Sequence, residues 1–249
     1  MAAGDPSIVV LFALRRESSF FLKTLSGTGR IATQRFAAWT GNAGTATVLV
    51  LETGIGAAQT QRGLDWLIGA FRPRHLVAAG FCGGLDPLLR VGAVVQAGEV
   101  VDEGGALVPL AVQPLAMPRV RLVTCPRLLA TAAERASLAT AHQAQTVDME
   151  SVHIARFGRD HGIPVTCVRA VSDDARSSLA PVLADLLSAG RVSAGRLTCA
   201  LLRRPWLLRQ MLRLARDTRV AGHNLALVLR ELVEMLGQDV VRSGSANQG

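Results

Sequence analysis

The sequence predicts an α/β fold with a largely parallel or mixed sheet, and three observations carry that prediction. Short apolar, β-branched runs, residues 8–13, 75–79 and 165–171 among them, read as strands buried on both faces. Stretches of helical period alternate with those runs. Residues 146–174 hold a complete unit: an acidic opening, a helix, a stop at Gly162-Ile163-Pro164, and a strand ending on Ser172-Asp173-Asp174.

The lengths in that unit matter. About 13 helical residues span roughly 20 Å, and seven strand residues at about 3.3 Å span roughly 23 Å. A strand running back along the helix returns Ser172 and Asp173 to the level of Glu150. Asp148 and Glu150 open the helix, so acids distant in sequence then face one crevice at the carboxyl ends of the strands, where open α/β sheets bind ligands. The alternative is a solvated acidic loop.

The remaining elements follow in chain order. Residues 8–13 form a first strand, followed by Leu14-Arg15-Arg16-Glu17-Ser18 and a helix through Phe20, Phe21 and Leu25. Glu17 stands either at the ligand end of the sheet or simply in a first helical turn, where a carboxylate favours the dipole. Residues 31–39 and 45–51 read as a strand pair around a turn at Gly41-Asn42-Ala43-Gly44. Thr53-Gly54-Ile55-Gly56 turns the chain into a helix over 57–71. It approaches a dinucleotide fingerprint, but Gln59 replaces the third glycine and no acid follows about 20 residues on, which excludes a nicotinamide cofactor. Its glycines instead permit a tight turn and close backbone approach. The strand at 75–79 ends in Gly80-Phe81-Cys82-Gly83-Gly84-Leu85, whose glycines suggest amides presented to a polar ligand. Residues 91–101 and 120–124 supply further strands. A helical region begins over 180–187, and residues 205–236 are strongly helical with a break expected near Gly222.

Composition narrows the function. The formal charge is +8 and the sequence pI about 11.0, yet Lys23 is the only lysine; arginine inflates the pI because it stays charged. With no tyrosine and no aromatic–basic interleaving, nucleic acid is excluded as the main partner. Cys82, Cys125, Cys167 and Cys199 show no C-x-x-C pair and read as reduced, mostly buried thiols of a cytoplasmic protein. The apolar run at 8–14 lacks the length and basic leader of a signal sequence, and no run reaches the roughly 18 residues of a membrane span. Glu150 and His153 have the spacing of a di-iron helix but no second copy, so no metal is expected. The C-terminal helix carries Arg203, Arg204, Arg209, Arg213 and Arg216 around Trp206, Leu207, Met211 and Leu214. It either packs on the core or presents a basic amphipathic face to anionic lipid.

Four motifs in order give a family resemblance. They are Ala13-Leu14-Arg15-Arg16-Glu17; Thr53-Gly54-Ile55-Gly56; Gly80-Phe81-Cys82-Gly83-Gly84-Leu85; and Val147-Asp148-Met149-Glu150 with Arg169-Ala170-Val171-Ser172-Asp173. Over residues 8–180 the chain resembles the nucleoside phosphorylase superfamily, on the branch of methylthioadenosine/S-adenosylhomocysteine nucleosidases. The resemblance implies a single domain with a mixed sheet flanked by helices over residues 1–190, a helical extension over 191–242 and a tail over 243–249. It implies a homodimer that needs no cofactor and cleaves the N-glycosidic bond to a purine. Asp173 would protonate the base at N7, and Glu17 would position or deprotonate the attacking water. Met149 and Glu150 would hold the ribose, Ser172 would orient Asp173, and Arg169 would lie near the water. Phe81, Cys82, Gly83 and Leu128 would line the substrate. The residue types suit the chemistry, since an oxocarbenium-like transition state gains from carboxylate charge and a departing purine needs a proton.

Phe81 stands where those nucleosidases carry a small polar residue. Residues 122–129 replace the usual base loop, and only a short stretch separates Val101 from Val120. This shortened form, with Leu179-Ala180-Pro181 and an arginine- and leucine-rich tail, resembles the hopanoid-associated phosphorylase-like proteins. That subgroup implies adenosylhopane as substrate and a peripheral membrane contact through the tail. Three other readings are a phosphorylase using Arg15 or Arg16 to hold phosphate as co-substrate, a catalytically silent nucleoside-binding protein, and a peripheral membrane module.

Overall fold

Strand β1 (Ile8–Phe12) is five apolar residues buried on both faces, so it belongs in the middle of a sheet. It runs parallel to β4 (Ala46–Glu52) on one side and to β5 (His75–Gly84) on the other. Beyond β4, the antiparallel strands β3 (Ala37–Ala43) and β2 (Ser26–Ile31) form the edge. Beyond β5 lies β10 (Val165–Asp173), also parallel. The structure, a computed structural model, describes residues 6–177 and 206–246.

Past β10 the sheet curls back on itself. Strand β10 pairs antiparallel with β6 (Val94–Asp102), and β6 pairs parallel with β8 (Arg119–Thr124). Strand β8 pairs parallel with the short β9 (Thr146–Asp148), whose partner is the end of β5 through Gly83 and Gly84. Strands β5, β10, β6, β8 and β9 thus close a ring, and β7 (Leu107–Pro109) hangs on β6. The length of β5 makes closure possible: its first half serves β1 and its last two residues serve β9.

Helices cover both faces. On one side α1 (Arg15–Leu22) and α5 (Trp206–Ala246) bury Phe21, Leu225, Leu229 and Leu232 against Val10, Val50 and Val168. On the other, α2 (Ala57–Ala70) and α4 (Ser151–Asp160) bury Leu64, Leu67, Val152 and Phe157 against Leu49, Leu76 and Cys167. Helix α3 (Ala132–His142) packs Leu138 on Val123, Val147 and Leu129. The mixed α/β architecture is the one expected.

Several local expectations change. Asp148 ends a strand rather than opening a helix, and Glu150 occupies the N-cap of α4. Residues 80–84 continue β5 instead of ending it. The β3–β4 turn falls at Gly44-Thr45, and the polar residues 26–31 form a strand of their own. Helix α5 is unbroken at Gly222: a Cβ there would meet the Phe20 ring at 2.4 Å, so the glycine allows close packing of α5 on α1. The expectations for residues 178–205 and for Cys199 lie outside the described residues, as do those for the side chains at 206–211, 213 and 214. No helix among the described residues is long and apolar enough to cross a membrane.

Candidate active site

Strands β1, β5 and β10 are parallel, so their carboxyl ends meet at one edge, and Glu17, Glu150 and Asp173 all reach it. Glu17 lies three residues into α1, whose start is set by the exit of β1. Its Oε2 accepts the backbone N–H groups of Ala13 (3.1 Å) and Leu14 (2.9 Å), and its Oε1 accepts that of Phe81 (3.0 Å). Glu17 therefore caps its own helix and lies at the carboxyl ends of the parallel strands. Burial pushes its carboxyl up, while the Phe81 amide and the Arg169 guanidinium pull the other way.

Glu150 comes from the other half of the chain. The turn at Gly54 (φ 93°) and Gly56 (φ 83°) uses backbone that favours glycine, and it aims the Gly56 N–H at Glu150 Oε1 (2.8 Å). Burial, then the neighbouring Asp148, raises the Glu150 carboxyl to about 7, and the Glu17 charge adds to the same effect. Arg169, projecting from β10, sits among these acids. Its Nη2 pairs with Asp148 Oδ2 at 2.5 Å and donates to Ser151 Oγ at 2.8 Å. Nη1 lies where a Cβ on Gly80 would stand, beside Glu17, so Gly80 is needed to admit both side chains. Burial opposes the charge on Arg169, but the surrounding anions, Asp148 above all, keep it protonated. Asp148 is held further by the Thr124 hydroxyl (2.8 Å) and the Ser151 amide.

Asp173 lies at the end of β10, opposite Gly83 of β5 and past an irregularity in the pairing. The Ser172 hydroxyl reaches Asp173 Oδ1 at 2.7 Å and the Cys82 carbonyl at 3.3 Å. Glu17 is anchored at Phe81 and Asp173 lies opposite Gly83, two residues and roughly 7 Å farther along β5. Cys82 is buried between them, and burial pushes its thiol well up. Phe81 and Met149 are half-buried, whereas Leu128 is 37 % exposed on the β8–α3 loop. Arg15 is paired with Glu52 (3.5 Å) and stacked over Trp39 (4.5 Å), which turns it away from a role as an anion clamp. Ser18 donates to the same Glu52.

An open cleft of about 460 Å³ lies elsewhere, at the start of β8 among Glu99, Arg119 and Arg121. Arg121 is already paired there with Glu99 (2.7 Å) and with the His142 carbonyl. Among the described residues no group of three or more His, Cys, Asp or Glu side chains is placed to hold a metal ion.

Residues 7–139 and 106–203 match the phosphorylase superfamily. The chain belongs to that superfamily. Solved structures with the same fold include the S-adenosylhomocysteine nucleosidase of Streptococcus pyogenes in complex with 5-methylthiotubericidin. That pair has 19 % identity and a TM-score of 0.72, covering 95 % of this chain and 99 % of that one. The 5′-methylthioadenosine/S-adenosylhomocysteine nucleosidase of Neisseria meningitidis gives 18 % and 0.72 over 92 % and 99 %. The futalosine hydrolase of Helicobacter pylori gives 14 % and 0.71 over 92 % and 97 %.

One residue at the site of this phosphorylase-superfamily chain escaped the sequence reading. Arg135, in the first turn of α3, is buried and pairs with Asp173 Oδ2 at 2.5 Å. Helix α3, which the sequence reading did not include, could have been found from the capping box Thr131–Glu134, in which Glu134 N–H donates to Thr131 Oγ1 and Glu134 Oε2 accepts the Thr131 N–H. Nothing in the local pattern signals where its arginine points.

Proposed function

We propose that the chain is a purine nucleosidase that uses water, with Glu17, Glu150 and Asp173 in separate roles. The carrying observation is the seat of Glu17. Its carboxylate occupies the three amides of Ala13, Leu14 and Phe81, donors that would otherwise suit a phosphate. A buried anion at that place repels phosphate and orients a neutral nucleophile. Water attacks C1′ and gives its proton to Glu17. The C1′–N9 electron pair leaves with the base, which takes a proton at N7 from Asp173. Glu150 accepts ribose hydroxyls and faces the positive charge that develops on the sugar. Proton return from Glu17 to Asp173 through solvent completes the cycle.

The test is adenine release from 5′-substituted adenosines with and without phosphate. Release without phosphate, yielding the free sugar, is expected, and strict phosphate dependence overturns the reading. Because Glu150 acts as an anion, the rate falls as pH drops through about 7.

For the 5′ group the reading extends to a long apolar substituent, as in adenosylhopane. Ile55, 40 % exposed in the turn that feeds Glu150, supports an apolar neighbour there, together with Phe81 and the shortened 101–120 segment. A panel of 5′-derivatives from short and polar to long and apolar tests this, and preference for the short polar members rules it out. A homodimer is part of the same proposal, checked by light scattering. So is a peripheral membrane contact through the start of α5, where Leu212 is 62 % exposed and Arg216 and Arg219 are exposed. Equal flotation of wild type and Arg216→Glu/Arg219→Glu on anionic liposomes argues against that contact.

A further inference from the structure

Arg135 is an unusual investment for the chain to make. Its side chain is only 4 % exposed, and its Nε has no hydrogen-bond partner, a costly state for a buried cationic donor. It stands in the first turn of α3, where the helix dipole disfavours a positive charge. Helix stability therefore does not explain it. Its polar contacts go to the end of β5, to Asp173 and to the β8–α3 loop: Nη1 donates to the Gly84 carbonyl (3.4 Å), and Nη2 to Asp173 Oδ2 (2.5 Å) and the Leu129 carbonyl (3.2 Å). The strand leaves room for this. A Cβ on Gly83 would lie 2.7 Å from Arg135 Nη1 and 3.2 Å from Asp173 Oδ2. Gly83 thus admits a guanidinium, a different purpose from presenting an amide to ligand. Asp173 remains 28 % exposed, so its carboxyl keeps one side toward the crevice.

We propose that Arg135 is a positioning residue that divides the labour of the two Asp173 oxygens. It holds Oδ2 throughout, so Oδ1 alone carries the proton to the purine. Ser172 follows that proton, because its hydroxyl donates to Oδ1 when the carboxyl is ionised and has the Cys82 carbonyl as its other acceptor when Oδ1 is protonated. In the step itself the Oδ1–H bond breaks, N7–H forms, and the C1′–N9 pair passes to the base. The negative charge left on Asp173 then faces a guanidinium already in place. This inference rests on the nucleosidase reading and deepens it.

The experiment compares wild type, Arg135→Gln, Arg135→Lys, Gly83→Ala, Asp173→Asn and the double variant Arg135→Gln/Asp173→Asn. The readouts are steady-state adenine release, adenine binding by calorimetry, and a urea unfolding curve to show that each variant is folded. Arg135→Gln should lower kcat about 100-fold, within the range of a misdirected general acid, with KM changed less than about threefold. Arg135→Lys should recover part of that loss, since the charge returns without the fork. In the Asp173→Asn background, Arg135→Gln should change the residual rate less than about twofold, because there is no acid left to position. A packing role predicts instead the same loss in both backgrounds, and that result overturns the proposal, as does a change in KM alone. If Arg135→Gln does not fold, Gly83→Ala displaces the guanidinium while keeping it, and the same kcat-selective loss is expected. If wild type binds adenine but releases none from any nucleoside, the nucleosidase reading fails by itself. Arg135 is then judged by adenine affinity, expected to drop at least about tenfold in Arg135→Gln; equal binding, or none by wild type, overturns it.

Discussion

Two arginine–aspartate pairs lie within one site, each with a 2.5 Å contact, yet they stand in opposite surroundings. Arg169 and Asp148 are sealed from solvent, with side chains 2 % and 1 % exposed. Arg135 is equally buried, but its partner Asp173 is 28 % exposed. In the sealed pair every neighbour is protein: Thr124, Ser151, Glu150 and the Gly80 backbone. Its carboxylate ends β9 while its guanidinium leaves β10, so it ties two strands of the ring together. In the open pair the Asp173 side chain remains 28 % exposed. The contrast separates a charge used to build the site from a charge available to act in it.

Removing the sealed cation should have the larger effect on folding. Arg169→Gln leaves Asp148, Glu150 and Glu17 buried together without a counter-charge. Breaking such a buried pair costs about 3–5 kcal/mol, measurable as a lower urea midpoint. Arg135→Gln leaves an aspartate that still reaches water, so its folding cost should be about 1–2 kcal/mol after allowance for solvent screening. Equal losses in the two variants would erase the distinction between the pairs.

Glu150 sharpens the comparison through pH. Its carboxyl titrates at about 7 in the folded protein and at 4.5 in the open chain, so the folded state holds the proton more tightly. Below about pH 4.5 both states are protonated and Glu150 contributes its full stability. That contribution is lost as pH rises through about 7, where the buried group must ionise. A difference of about 2.5 pKa units corresponds to about 3 kcal/mol. Glu150→Gln never ionises, so it should be the more stable protein at pH 8, by up to about 3 kcal/mol, and no more stable at pH 4. The same substitution should remove the part of the fall in rate that centres on about pH 7, leaving the part that protonation of Glu17 causes. A stability difference that does not depend on pH would place Glu150 outside the charge cluster.

Much of this arrangement was legible in the sequence, for definite reasons. Residues 8–12, 75–84 and 165–173 are strongly apolar, and burial on both faces leaves that mark wherever a strand is central. Glu17 and Asp173 stood out because each follows such a strand, where parallel topology makes the ends converge, and Glu150 because it opens the helix that leads into the last of them. Asp148 was misplaced on the helix because a three-residue strand is too short to show alternation. The strand at 26–31 was missed because it is an exposed edge with no apolar face, formed by pairing with β3 rather than by burial. Arg135 was missed for a third reason: the helix that carries it was not expected, and an alanine-rich helix gives no local sign that its arginine crosses to a strand 51 residues earlier. The acids were readable because local order places them; their cationic partners were less so, because tertiary contact chooses them.

Each pair also has a serine hydroxyl against it, and these two serines supply the finest version of the comparison. Ser151 Oγ accepts from Arg169 Nη2 at 2.8 Å and lies 3.2 Å from the Cys167 sulfur, wholly inside the protein. Ser172 Oγ sits on Asp173 Oδ1 at 2.7 Å, on the open side. Ser151→Ala removes one acceptor from a buried guanidinium that keeps Asp148, so it should cost about 1 kcal/mol of stability and leave kcat within about twofold. Ser172→Ala removes a donor to the oxygen that delivers the proton. It should lower kcat about tenfold, on the scale of one charge-assisted hydrogen bond, and shift stability by less than about 0.5 kcal/mol. Urea midpoints and kcat measured on both variants distinguish the two. If Ser172→Ala lost stability and kept its rate, Oδ1 would not be the working oxygen, and the open pair would be a second scaffold.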